Sequence, residues 1–277
     1  MTAIAQCLKR SEELLSVSDS AELDIQLLLA YCVAQSRTFL MTWPERELTA
    51  TQLSAFDDLV ERRKEGEPIA YLIEQQGFWS LDLRVLPTTL IPRPETELLV
   101  EQALAFLSAK PQSKILDLGT GSGAIALAMA KELPTAKVLG VDIDHASIAL
   151  AKDNAARNNI GNVSFKQSSW YVELAGLFDL IVSNPPYIRA DDPHLSQGDV
   201  RFEPARALVA GTDGLADLRI IISEAPAYLH AGGALMVEHG YDQKQSVSQL
   251  FKQNQFVDVS CYQDLAGQDR ITVGVKL

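Results

Sequence analysis

Lys114-Ile-Leu-Asp-Leu-Gly-Thr-Gly-Ser-Gly-Ala124 is a short apolar run that breaks into three alternating glycines and resumes as a helix-forming stretch. An apolar run this short, bounded by a turn, reads as a buried strand. Gly119 permits a tight turn, Gly121 lets a ligand lie against bare backbone, and the helix start offers unpaired N–H groups to an anion. The same residues spell Gly119-x-Gly121-x-x-Ala124, the dinucleotide fingerprint. This segment alone therefore does not separate a nicotinamide dinucleotide from S-adenosylmethionine. Asp117, two residues ahead of the first glycine, and the extra Gly123 lean toward the latter without deciding.

Outward from that turn the pattern alternates strand and helix. Strands are predicted at 114–118, 137–142, 162–166, 178–183, 233–238, 256–262 and 271–276, and helices at 95–108, 123–132, 145–158, 214–229 and 243–253. Such alternation predicts an α/β fold with a mostly parallel sheet and right-handed crossovers. The last two strands are joined by the short loop Gln263 to Arg270, which predicts an antiparallel pair. The strand Lys137-Val-Leu-Gly-Val-Asp142 ends in an acid placed to accept both hydroxyls of a ribose; its other reading is a cap for the helix starting near His145. The next strand leads to Gln167-Ser-Ser-Trp170, where Trp170 serves either as a cover for an adenine face or as an ordinary core residue.

The fourth strand, from Phe178, ends abruptly in Asn184-Pro185-Pro186-Tyr187. Two prolines fix φ and cannot donate to a sheet, so the chain leaves as a stiff extended segment. That stiffness holds the Asn184 amide, the Pro185 carbonyl and the Tyr187 ring at a strand's C-terminal edge, where open α/β sheets bind ligands. Two aimed acceptors suit a planar –NH₂ group. Each takes one N–H, drawing the nitrogen lone pair toward an electrophile while the ring covers the flat face. The bland reading of the same residues is a polyproline turn.

The first 75 residues read as a helical domain. Ala21 to Val33 carries an apolar stripe at Leu23, Leu27, Leu28, Tyr31 and Cys32, and Thr49-Ala-Thr-Gln52 reads as a capping box. The helix it opens buries Leu53, Phe56, Leu59 and Val60. It stops at Arg62-Arg63-Lys64-Glu65-Gly66, whose cations read as helix-end charge. Residues 76–94 read as a β-hairpin bridge, Phe78 to Leu86 forming one strand and Leu90-Ile91 its partner. In Ile91-Pro-Arg-Pro-Glu-Thr-Glu97, Pro94 suits the first helical position, with Glu95 and Glu97 near the positive helix start. Residues 95–277 form the α/β domain.

The chain of 277 residues has a net charge of −12, which counts against a general nucleic-acid binder. Cys7, Cys32 and Cys261 are odd in number and far apart, as expected of reduced thiols in a cytoplasmic protein. No leader and no apolar run of membrane-spanning length is evident. His145 and His230 read as exposed helix positions, His194 lies in a polar loop, and His239 reads as a structural histidine. No cluster has metal spacing. The lack of an acid/base pair weighs against hydride transfer and suits methyl transfer, whose leaving group is a neutral thioether. A nicotinamide-dependent oxidoreductase, an adenine-N6 methyltransferase and a non-catalytic cofactor-binding protein are the alternatives.

Asp117-Leu-Gly-Thr-Gly-Ser-Gly123 together with Asn184-Pro-Pro-Tyr187 resembles the class I methyltransferases that act on planar amino groups. Ile91 to Glu97, Gly198-Asp-Val-Arg-Phe-Glu-Pro204 and Glu238-His-Gly240 narrow the resemblance to the release-factor glutamine methyltransferases of the HemK/PrmC type. The resemblance runs from about Glu67 to the C-terminus and agrees in character before that. It implies a seven-stranded Rossmann-like methyltransferase sheet in an enzyme that uses S-adenosyl-L-methionine and releases S-adenosyl-L-homocysteine. The helical part, which carries no chemistry of its own, reads as a substrate-recognition or bracing domain, and a monomer without a metal is expected. The implied reaction is methylation of the side-chain amide (N5) of the glutamine in the Gly-Gly-Gln motif of class-1 peptide chain release factors. By motif, Asp117, Gly119, Thr120, Gly121, Ser122 and Gly123 surround the methionine part of the cofactor, with Asn184 beside it. Asp142 takes the ribose and Trp170 the adenine, and Asn184, Pro185, Pro186 and Tyr187 hold the substrate amide. Ser169 stands where many members carry an acid.

Overall fold

A computed structural model describes residues 2–277. The chain divides into two compact units: residues up to Gln75 joined by His194–Phe202, and Gln76–Pro193 joined by Glu203–Leu277.

The first unit is helical. It contains α1 (Ile4–Leu8), α2 (Ala21–Val33), α3 (Arg37–Thr42), α4 (Ala50–Lys64) and α5 (Ile69–Leu72). Its core is Ile4, Leu14, Ile25, Leu28, Leu29, Leu40, Phe56 and Val60. The Thr49 hydroxyl accepts from Gln52 N and the Gln52 side chain accepts from Thr49 N, so the capping box forms as the sequence predicts. The stripe expected on α2 is corrected. The helix buries Ala21, Asp24, Ile25, Leu28 and Leu29, while Leu23 and Tyr31 are exposed. The helix is apolar on more than one side, and a charged residue on the buried stripe disguises that face. Asp24 is buried because Arg63 Nε donates to it at 2.8 Å. Arg63 is accordingly no helix-end charge in solvent; its guanidinium also reaches the Glu67 carbonyl (3.1 Å) and Asp199 (3.3 Å).

The second unit opens with a small antiparallel hairpin, β1 (Gln76–Phe78) with β2 (Leu81–Leu83). The expected pairing with Leu90-Ile91 does not form. Trp79, at φ +56°, turns the chain inside the run read as one strand, and Phe78 pairs with Leu81. After a 3₁₀ turn at Pro94–Thr96 the unit continues through α6 (Glu97–Leu107), β3 (Lys114–Leu118), α7 (Ala124–Glu132), β4 (Lys137–Asp142), α8 (His145–Arg157), β5 (Val163–Gln167) and β6 (Phe178–Ser183). Then follow α9 (Ala216–Tyr228), β7 (Leu229–Glu238), α10 (Lys244–Gln253), β8 (Phe256–Gln263) and β9 (Asp269–Lys276). His230 is thus a strand residue, since β7 starts four positions earlier than its apolar run suggests.

The strands form one sheet in the order β5-β4-β3-β6-β7-β9-β8, parallel except for β9, which runs antiparallel to both neighbours. Successive residues of the central strands face opposite layers. Ile115, Leu180 and Val182 pack with Leu99, Met129 and Ile148 of α6, α7 and α8. Leu116, Leu118 and Ile181 pack with Leu218, Ile222, Val247 and Phe251 of α9 and α10. Burial on both faces explains why these strands read as apolar runs without polar alternation. The chain runs from β3 outward through β4 to β5, then returns to the other side of β3 as β6. That reversal makes β3/β6 the switch point, outside whose C-terminal ends such sheets hold ligands.

Candidate functional site

Two turns leave the sheet side by side at the switch point. Leu118 is in register with Ser183, so the residues that follow, Gly119 and Asn184, emerge from adjacent strands. Gly119, Gly121 and Gly123 all adopt positive φ (72°, 54° and 87°), which explains the alternating glycines. A Cβ on Gly121 would meet nothing within 4 Å, so its backbone faces open space, whereas one on Gly123 would press Leu127 and Ala151. Asp117 braces the turn from beneath. Fully buried, it accepts from Thr120 Oγ1 at 2.6 Å and Ala126 N at 3.2 Å. Its second oxygen has no partner. Burial lifts its carboxyl to about 7, against the pull of the two hydrogen bonds.

A cavity of about 380 Å³ lies over these turns, within the range typical of cofactor sites. Its walls include Gly119–Ser122, Asp142, Ser169, Trp170, Asn184 and Pro186. Asp142 accepts from Gly121 N and Asp144 N, both at 2.9 Å, which aims its carboxylate across the glycine turn. The helix cap considered for it belongs to Asp144, which accepts from Ser147 N. Burial raises the Asp142 carboxyl, opposed by those two backbone donors. Trp170 adopts φ +49° and shares the cavity wall with Asp217. Asp117, Gly123, Pro185 and Tyr187 stand outside the walls. The residues suit S-adenosylmethionine: bare backbone at Gly121, an aimed carboxylate at Asp142, a flat indole, and beneath the turn a buried Asp117 carboxyl oxygen without a partner.

The Asn184 end is tied down by side chains the sequence reading assigned no role. Asn184 Nδ2 donates to Thr96 Oγ1 at 3.1 Å, and Thr96 Oγ1 donates to Glu238 Oε2 at 2.7 Å. The Tyr187 hydroxyl donates to Glu238 Oε1 at 3.1 Å, and Gln243 Nε2 holds the Tyr187 carbonyl at 3.0 Å. Glu238 is buried; burial raises its carboxyl, while Thr96, Tyr187 and nearby Arg270 favour the ionised form. In the sequence Glu238 stood out only as an acid closing the apolar run of β7 and as part of the Glu238-His-Gly240 motif, with no role attached. Ser183 pairs with Val237, so Glu238 occupies the rung beside Asn184, a relation that needs the strand order. Arg93, on the cavity wall, pairs with buried Glu203, which also accepts from Ile91 N. His239 is structural: its Nδ1–H donates to the Gly240 carbonyl and Nε2 accepts from Thr272, each at 2.8 Å. Among the described residues no group of three metal ligands forms.

The family models match in two pieces: a PrmC N-terminal domain over residues 6–73 and a methyltransferase small domain over residues 94–261. The chain is 52% identical to the release factor glutamine methyltransferase of Pseudomonas aeruginosa, covering 99% of both chains. It is 50% identical to that of Aliivibrio fischeri, over 98% of this chain and 97% of the relative. This chain belongs to the release factor glutamine methyltransferase family. Solved structures agree at the level of fold. A Thermus thermophilus 16S rRNA N2 G1207 methyltransferase, in complex with AdoMet and guanosine, superposes with a TM-score of 0.55 at 20% identity, covering 73% of this chain and 50% of that one. The catalytic domain of human Mettl16 gives 0.58 at 15%, covering 71% and 76%. The family assignment accounts for both halves of the chain, since the N-terminal match falls on the helical unit and the methyltransferase match on the sheet.

Proposed function

We propose that this protein transfers a methyl group from S-adenosyl-L-methionine to the side-chain amide nitrogen of a glutamine in the Gly-Gly-Gln motif of a class-1 peptide chain release factor. The reading rests on one observation: Asn184 is held with its Nδ2 on Thr96, which turns Oδ1 away as a free acceptor beside the cavity. Among the described residues no donor occupies the Pro185 carbonyl. Asn184 Oδ1 and that carbonyl would accept the two amide hydrogens of a substrate glutamine. Bound S-adenosylmethionine supplies an electrophilic methyl group; Gly119–Ser122, Asp142 and Trp170 would hold it. Asn184 and Pro185 fix a weak nucleophile in one orientation, and such positioning supplies most of the rate where no acid or base is needed at the leaving group. As the N–C bond forms and the S–C bond breaks, the methylated amide sheds one N–H proton to water. The Tyr187 ring would pack beside the amide plane, its hydroxyl anchored on Glu238. Acting on a translation factor, the protein would work in the cytoplasm; no helix of the described residues is long and apolar enough to cross a membrane.

The test is transfer of labelled methyl from S-adenosylmethionine to a purified release factor, alongside the same factor with its motif glutamine replaced. Label in the first and none in the second is expected. Label in both would displace the proposed acceptor.

A further inference from the structure

Thr96 has one hydroxyl proton and two polar neighbours. Buried Glu238 accepts on both of its oxygens, and through Oε2 it takes the Thr96 proton at 2.7 Å. Toward Asn184 the Thr96 oxygen is left with lone pairs, so it accepts from Nδ2 at 3.1 Å. An Asn side chain is nearly symmetric in shape, and only its hydrogen-bond partners distinguish the two ends. The second Glu238 oxygen is occupied by the Tyr187 hydroxyl, which fixes the carboxylate from its other side.

We infer that Glu238 is a positioning residue that sets, through the single proton of Thr96, which end of the Asn184 amide faces the substrate. The inference rests on the proposed amide-methylating function. With the relay reversed, Asn184 would point an –NH₂ group at a substrate –NH₂ group, donor against donor, and the acceptor would be lost.

Glu238→Gln tests the relay. The shape is kept, but one end becomes a donor. If the new –NH₂ met Tyr187, the Tyr187 hydroxyl proton would be left buried without an acceptor. The satisfied arrangement keeps the carbonyl on Tyr187 and puts the –NH₂ on Thr96. Thr96 then gives its proton to Asn184, which turns its oxygen inward. Thr96→Val cuts the relay differently: Asn184 loses its instruction but is not forced into the wrong orientation.

The experiment measures kcat for methyl transfer to a release factor, and S-adenosylmethionine affinity by calorimetry, for wild type, Glu238→Gln, Thr96→Val, Thr96→Ser and the double variant Glu238→Gln/Thr96→Val. Glu238→Gln should lower kcat roughly 10- to 100-fold with cofactor affinity within about threefold of wild type. The double variant should be more active than Glu238→Gln alone, because without the Thr96 hydroxyl the reversed signal has no route to Asn184. Thr96→Ser should restore most of what Thr96→Val loses, and this pair stands even if the Glu238 variant fails to fold. Additive losses in the double variant, or equal activity of Thr96→Val and Thr96→Ser, would overturn the relay while wild-type transfer upholds the function. No transfer by wild type would overturn both.

Discussion

Asp117 and Asn184 carry opposite kinds of constraint, one electrostatic and one directional. The Asp117 carboxyl is fully buried under the glycine turn and is raised from 3.8 to about 7. An acid whose folded pKa is raised lends stability that is complete below its unfolded value and is lost as pH climbs through the folded one. The window here runs from about pH 4 to about pH 7. Asp117→Asn should therefore gain on the wild type as pH rises from 5 to 8, by an amount on the order of a few kcal/mol, read from urea unfolding of the two proteins at each pH. A constant difference across that range would contradict a neutralised Asp117. Asn184→Ala should cut the methylation rate roughly 100-fold or more while cofactor affinity changes little; comparable losses in both would remove its assigned part. At this scale the turn at the glycines and the strand-end positions of Asp142 and Asn184 were legible, because turn chemistry and strand ends are local. Glu238 and Thr96 were not legible as partners of Asn184, since their meeting depends on β7 lying next to β6.

Among the elements, α2 and α4 are joined by an ion pair that ordinary helix periodicity hides. Asp24 and Arg63 are both nearly sealed from solvent. Removing one partner leaves an uncompensated buried charge, so Arg63→Ala should lower stability by about 3–5 kcal/mol. Asp24→Leu with Arg63→Met should recover much of that loss in chemical denaturation. A single variant as stable as wild type would show that the pair is solvated in solution. Thr49→Ala, which deletes one side of the capping box on α4, should cost about 1 kcal/mol by the same measurement. The larger helices and strands lay within a few residues of their expected limits because their apolar periods are long and unmixed. The first hairpin did not. Its strands are three residues each, and its turn rests on Trp79 at positive φ, a conformation that β-rich sequence around a tryptophan does not announce.

For the molecule as a whole, the cavity lies entirely within the second unit. A ligand that binds only the folded form stabilises it by about 2.7 kcal/mol at a hundred times its dissociation constant. S-adenosylmethionine should thus slow hydrogen exchange in β3, β4 and β6 and their following turns, with no direct contact to protect α2 or α4. Equal protection in both units would show that they unfold as one. The alternation of strands and helices made the sheet legible from sequence. The strand order was not, and neither was the attachment of 194–202 to the helical unit, because no local pattern encodes which distant segment a loop joins.

That attachment bears on how the protein could be taken apart or recombined. The helical unit is discontinuous in the gene: residues up to Gln75 and the nine from His194 to Phe202 belong together, tied by Arg63 to Asp199 and by Arg201 to the Glu65 carbonyl. Transplanting the N-terminal region from a relative would bring in one half of a matched pair and leave the other behind. A chimera that exchanges both stretches should keep its fold where the simple N-terminal exchange does not, and a fragment starting at Gln76 would carry an orphaned loop ending one residue before Glu203, the anchor of Arg93.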